Sequence, residues 1–188
     1  MKYLTLIRHA KSSWGDFSLS DFERPLCESE MRVVPVVGKF IREVYLESNI
    51  SEPIPYPKKV LTSSALRAKG TAELMMNQLC PDVSDLAYEE VERLYHAPAG
   101  DYLEIVRKTC DSLDHLVLVG HNPGLSVFAS DLLKDDEVEE LATCGGVILK
   151  IPLPVWSAIN WEHAEFIGKF SPRMVEKRWK LDLSASQF

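Results

Sequence analysis

Residues 4–11 read LTLIRHAK. Leu4, Thr5, Leu6 and Ile7 suit a buried strand, and Arg8 and His9 follow with no transition. A strand end is a rigid mount for a reactive group, whereas a surface turn would carry the same residues to no purpose. A second segment bears on the choice. Residues 115–124 read HLVLVGHNPG, an apolar run from His115 to Val119 that ends at Gly120 and His121. In open α/β sheets, sites gather beyond the carboxyl ends of the strands. If these two strands lie side by side, His9 and His121 meet there.

The remaining pattern alternates between helix and strand. Apolar spacing predicts a helix over Met31 to Glu47, with Pro35 early enough to be tolerated. Residues 48–57 are proline-rich and polar and read as a loop. Lys59 to Thr62 reads as a strand, and Ser64 to Leu79 as a helix with Pro81 beyond its end. A strand over Leu86 to Val91 and a helix over Asp101 to Leu113 come next. A short helix over Gly124 to Leu133 follows the second histidine. Strands are expected over Gly146 to Ile151 and Ala164 to Phe170, and the charged run Lys134 to Glu140 reads as a solvated loop. The alternation argues α/β, with helices covering a mainly parallel sheet. A length of 188 residues, with no repeat or linker, suits one domain over 1–188.

Composition narrows the function classes. A hydrophobic share of 46% and a charged share of 26% are those of an ordinary globular protein. No apolar run approaches the roughly 20 residues that span a bilayer, and the run before Arg8 is too short for a signal peptide. A cytoplasmic protein without membrane partners is therefore expected. The net charge of −7 argues against a nucleic-acid binder with a broad basic face. Cys27, Cys80, Cys110 and Cys144 form no CxxC pair, so reduced thiols are expected rather than a zinc or redox motif.

Several hydrolytic motifs are absent. The residues six positions after the cysteines are Val33, Leu86, Leu116 and Lys150, so C-x5-R does not occur. Neither do the Walker pattern, GxSxG or HExxH. What stands at the expected strand ends is Arg8-His9, the segment LTSSALRA with Arg67, and GHNPG with His121. Two arginines, two histidines and several hydroxyls suit a tetrahedral phosphoryl group. Arginine's planar fork holds two oxygens and keeps its charge. A neutral imidazole attacks phosphorus through one nitrogen while the other is fixed by a hydrogen bond.

The stretches LIRHAKSSW, DFERPL, VLTSSALRAKGTAELM, ERLYHA and LVGHNPGL carry a resemblance, and FSPRMV extends it more loosely. In this order, from Leu4 to Leu125, they resemble the histidine phosphatase superfamily and, within it, the SixA-like phosphohistidine phosphatases. The resemblance implies a three-layer α/β/α sandwich of the phosphoglycerate mutase-like kind. It implies His9 as the phosphorylated nucleophile, with Arg8, Arg67 and His121 around the phosphate. It also implies a hydrolase with neither metal nor cofactor. Arg24, from ERPL, is either a further phosphate contact or the partner of Asp21 or Glu23. Glu92, from ERLYHA, is either the acid for the leaving group or an ordinary charged edge. Thr62, Ser63, Ser12 and Asn122 stand close enough in sequence to support the site or touch substrate. His96, His115 and His163 lack partners at comparable positions, and His115 reads as structural.

Two residues depart from the superfamily pattern. Ala10 replaces the glycine of the Arg-His-Gly signature, which leaves the turn feasible if its φ is negative. Glu30 stands where RPLxxxG has glycine, which bears on the start of the next helix. The expected partner is a phosphorylated protein carrying phosphohistidine, because no long insertion builds a deep lid. A small phosphomonoester is the alternative substrate, and a catalytically weak phosphate-binding module is the rival from another class.

Overall fold

The central strands are apolar on both faces, and that places helices on both sides of them. The computed structural model describes residues 1–48, 53–133, 138 and 140–184. The strands are β1 (Lys2–Arg8), β2 (Lys59–Thr62), β3 (Ala87–Glu90), β4 (His115–Gly120), β5 (Gly146–Ile151) and β6 (Glu165–Phe170). They form one sheet in the order β3-β2-β4-β1-β5-β6. β3, β2, β4 and β1 pair in parallel, while β5 and β6 run antiparallel.

The helices are α1 (Glu30–Ile41), α2 (Leu66–Leu79), α3 (Ala99–Arg107), α4 (Gly124–Leu132) and α5 (Pro172–Trp179). Ile7 of β1 and Val117 and Val119 of β4 share one core with Val37 and Phe40 of α1 and Met75 of α2. Leu4 and Leu6 of β1 and Leu116 and Leu118 of β4 share the other with Tyr102 of α3 and Phe128 of α4. The period of two along each strand thus feeds two cores. The architecture is the α/β/α sandwich, with a sheet that is parallel through its centre.

Some boundaries differ from the sequence reading. The helix expected over Asp101 to Leu113 begins at Ala99, behind Pro98, and ends at Arg107. Thr109 to Ser112 have low helix propensity, and Asp111 is drawn elsewhere. Its carboxylate accepts from the Trp156 N–H at 2.6 Å and its carbonyl from Lys2. α1 gives way to a π-helical turn over Arg42–Leu46, and Pro35 falls in the second turn of α1. α5 was not expected. Pro172 opens it and Ser171 caps it, the hydroxyl accepting from the Met174 N–H at 3.3 Å. The loop over 48–57 and the charged run over 134–140 lie partly outside the described residues. No helix among the described residues is long and apolar enough to cross a membrane.

Candidate active site

Strand register brings the pieces together. Arg8 of β1 lies opposite Gly120 of β4, and Thr62 of β2 opposite Val119. One residue further on, the His9 N–H donates to the Gly120 carbonyl at 3.1 Å and the Ser63 N–H to Val119 at 3.0 Å. His9, His121 and Ser63 therefore stand in a row where three parallel strands end. The rings of His9 and His121 lie 4.7 Å apart, centre to centre. Gly120 permits the close packing beneath them. A Cβ there would stand 2.2 Å from the Tyr102 hydroxyl, which accepts from the His121 N–H at 3.1 Å.

The two rings have defined tautomers. His9 Nδ1 lies 2.7 Å from the Ala10 carbonyl, which can only accept, so Nδ1 carries the proton. Nε2 is left with its lone pair and receives the Arg67 Nε–H at 3.3 Å. Arg67 Nη2 lies 3.5 Å from His121 Nδ1, and a guanidinium only donates. His121 therefore directs Nε2–H at the Ser63 hydroxyl, 2.8 Å away. Burial pushes His9 down to about 4, with Arg67 and Arg8 adding to the effect against the Ala10 bond. Burial, then the positive charge of His9 and Arg67, pushes His121 down to about 3. Both imidazoles are neutral at ordinary pH, the form in which an imidazole is able to attack.

Arg67 sits in the first turn of α2 with its side chain 3% exposed. Its Nη2 donates to the Asp21 carboxylate at 2.7 Å, and Nη1 to the Asp21 carbonyl. The same carboxylate accepts from the Tyr95 hydroxyl at 2.8 Å and from Arg24. Arg24 in turn stacks on Trp14, 3.6 Å from the ring centre. Across the site, Arg8 Nη1 donates to Glu140 at 3.0 Å and to the Leu141 carbonyl at 2.8 Å. Asn122 Nδ2 reaches the same two acceptors at 3.2 and 3.0 Å. Arg8 Nε and Arg24 Nε and Nη1 are buried without a partner among the described residues. Unmade hydrogen bonds from buried guanidinium groups are costly, and an oxyanion would satisfy them.

The structure thus gathers Arg8, His9, Arg67, His121, Ser63, Asn122 and Arg24 at one end of the sheet. Arg24 takes the Asp21 pairing that the sequence left open. Thr62 is buried and its hydroxyl donates to the Ser63 carbonyl at 3.2 Å. Ser12 bridges to Leu26 through its backbone. Neither hydroxyl, nor the exposed carboxylate of Glu92, bonds to His9, Arg8, Arg67 or His121. Ala10 is buried with φ outside the left-handed region, and its N–H donates to Thr71 at 3.0 Å. Glu30 opens α1, and burial raises its carboxyl above the usual range.

Sequence reasoning missed three residues here: Asp21, Tyr95 and His96. His96 was expected to lack a partner. Its ring stacks on His121 with centres 5.5 Å apart, and Nε2 lies 3.5 Å from the Asp21 carboxylate. Asp21 and His96 occur within DFERPL and ERLYHA; the sequence offered Asp21 only as a partner of Arg24 and gave His96 no role. Among the described residues, no three His, Cys, Asp or Glu side chains cluster to hold a metal ion.

The backbone matches solved structures across nearly its whole length. A candidate phosphohistidine phosphatase SixA from Nakamurella multipartitia superposes with a TM-score of 0.73 at 19% identity, covering 91% of this chain and 96% of that one. The protein histidine phosphatase SixA complexed with tungstate gives 0.70 at 17% identity, over 92% and 99%. This is the histidine phosphatase fold. Phosphoglycerate mutase from Bacillus anthracis shares it at a TM-score of 0.60 and 12% identity, over 94% of this chain and 96% of that one. Two sequence relatives are each 26% identical. One is an uncharacterized protein of Mycobacterium tuberculosis, matched over 89% of this chain and all of its own length. The other is an uncharacterized chloroplastic protein of Arabidopsis thaliana, matched over 86% of this chain and 69% of its own length. No family model matches. Within the histidine phosphatase fold, His9 and His121 occupy adjacent ends of β1 and β4.

Proposed function

We propose that this protein is a metal-independent histidine phosphatase, with the whole site carried by one domain over 1–188. The observation that carries the proposal is His9. Its Nδ1 is fixed by the Ala10 carbonyl, and its Nε2 lone pair faces Arg67 and the neighbouring His121. A phosphoryl group held by Arg67, Arg8 and His121 meets that lone pair. Nε2 forms the bond to phosphorus as the bond to the leaving group breaks. Negative charge on the oxygens draws Arg67 and Arg8, and a dianion beside His121 favours the protonated ring, which then donates. Water next attacks phosphorus, the P–N bond to His9 breaks, and inorganic phosphate leaves.

Phosphohistidine on a protein or peptide is the first substrate reading. Lys11, two residues beyond His9, lines a cleft of about 380 Å³ together with Glu30, Thr143, Arg173 and Glu176, which offers room for a segment flanking a phosphorylated side chain. The names of the structural relatives point the same way. A small phosphomonoester is the second reading, favoured by Asp21 and His96 at the mouth. Activity on a panel of phosphohistidine peptides and sugar phosphates separates the two. Preference for the peptides supports the first reading, and preference for the sugar phosphates replaces it with the second. Equal turnover of a generic phosphoester by wild type and His9→Ala would sink the phosphatase reading and leave the binding module.

A further inference from the structure

The site described so far has a nucleophile and an anion clamp but no proton for the departing group. Glu92, the candidate the sequence offers, is exposed and bonds to none of His9, Arg8, Arg67 or His121. The residue in place is His96. It follows the 3-10 turn Glu92–Leu94, with a left-handed backbone at φ 52°. Tyr95 packs edge-on against it, ring centres 4.3 Å apart, and His121 stacks on it. Its side chain is 58% exposed, whereas Arg67 at the floor is 3% exposed. An attacking His9 leaves the opposite side of phosphorus to the departing group, and His96 is the exposed imidazole that stacks on His121, the ring next to His9.

We propose that His96 is the general acid of this site and that Asp21 is its positioning residue. The proposal rests on the phosphatase reading and deepens it by naming a substrate class. As His9 Nε2 bonds to phosphorus and the P–O bond of an ester breaks, the imidazolium of His96 passes a proton to the alkoxide oxygen. Neutral His96 then takes a proton from the water that attacks phosphohistidine, and the cycle closes with atoms and charge balanced. Asp21, 3.5 Å from His96 Nε2, holds that ring in place and also orients Arg67. A phosphohistidine substrate does not need this group, because its leaving imidazole carries its own proton. An alkyl ester does. The Asp21–His96 pair therefore equips the site for phosphomonoesters of aliphatic alcohols.

Leaving-group dependence tests this. His96→Asn keeps a residue that tolerates the left-handed backbone and removes the titrating ring. We expect kcat/KM for glycerol phosphate to fall about 10²-fold. For p-nitrophenyl phosphate and phosphoimidazole, which leave without this help, the fall should stay within about threefold. Asp21→Asn should likewise lower kcat/KM for glycerol phosphate further than for p-nitrophenyl phosphate, whereas a merely structural role would lower both alike. Equal losses on all three substrates, or no loss on glycerol phosphate, would overturn the assignment while leaving the phosphatase reading intact. A wild-type protein that hydrolyses none of the three overturns both.

Discussion

The two ends of β4 each carry a buried histidine, and they differ in what their nitrogens face. At the start, His115 is fully committed. Nδ1 lies 2.7 Å from the Pro55 carbonyl and Nε2 2.8 Å from the Thr5 hydroxyl. At the far end, His121 and its neighbour His9 each give one nitrogen to the protein, Nε2 to Ser63 and Nδ1 to Ala10. The other nitrogen of each faces Arg67. Burial pushes all three down, His115 and His9 to about 4 and His121 to about 3. Burial and a lowered proton affinity therefore do not mark a reactive histidine. What sets His9 and His121 apart is a second nitrogen that faces a fixed cation.

The largest effect should come from breaking the reactive end. His9→Ala should lower phosphoester turnover by about 10⁴-fold or more, whereas His115→Gln should leave kcat nearly unchanged. Steady-state kinetics on both variants checks the pair. Arg67→Ala should cost on the order of 10²–10³ in kcat/KM. Arg67→Lys should not restore it, because an ammonium cannot face His9, His121 and Asp21 together. Ser63→Ala frees the His121 ring without removing it, and the expected loss is about tenfold.

The structural end should show itself in stability. As pH falls, the unfolded chain protonates His115 near its ordinary value of 6.5, while the folded protein resists to about 4. Stability should therefore be full above pH 6.5 and drop as pH falls toward 4, His115 contributing up to roughly 3 kcal/mol of the loss. Denaturant titrations at several pH values measure this, and His115→Gln should flatten the slope. Catalysis should respond differently. His9 stays neutral down to about pH 4, so the acid limb of kcat/KM that belongs to the nucleophile should lie there and not near 6.5.

Much of the fold was legible because the central strands carry their signal locally. Leu4, Leu6 and Ile7 are apolar whichever face they meet, and so are Leu116, Val117, Leu118 and Val119. The early end of α3 was not legible, because it depends on Asp111 reaching Trp156 and Lys2 across the fold. α5 was missed for a different reason. Among its residues only Val175 is buried, and its apolar side is short, Val175 and Trp179 one turn apart in a largely charged sequence. In the site, His9, Arg8, Arg67 and His121 follow strand ends and could be read from that position. Asp21 and His96 enter on irregular segments, and nothing in their spacing says that Asp21 will meet Arg67, Tyr95 and His96.

The central claim is that phosphate passes through His9 Nε2. Rapid quench of the protein with a phosphorylated substrate into alkali, followed by tandem mass spectrometry and phosphorus NMR, reads it directly. The account expects an alkali-stable, acid-labile phosphoryl group on Nε2 of His9, absent from His9→Ala. Turnover without that label, or a label on any other residue, would contradict it.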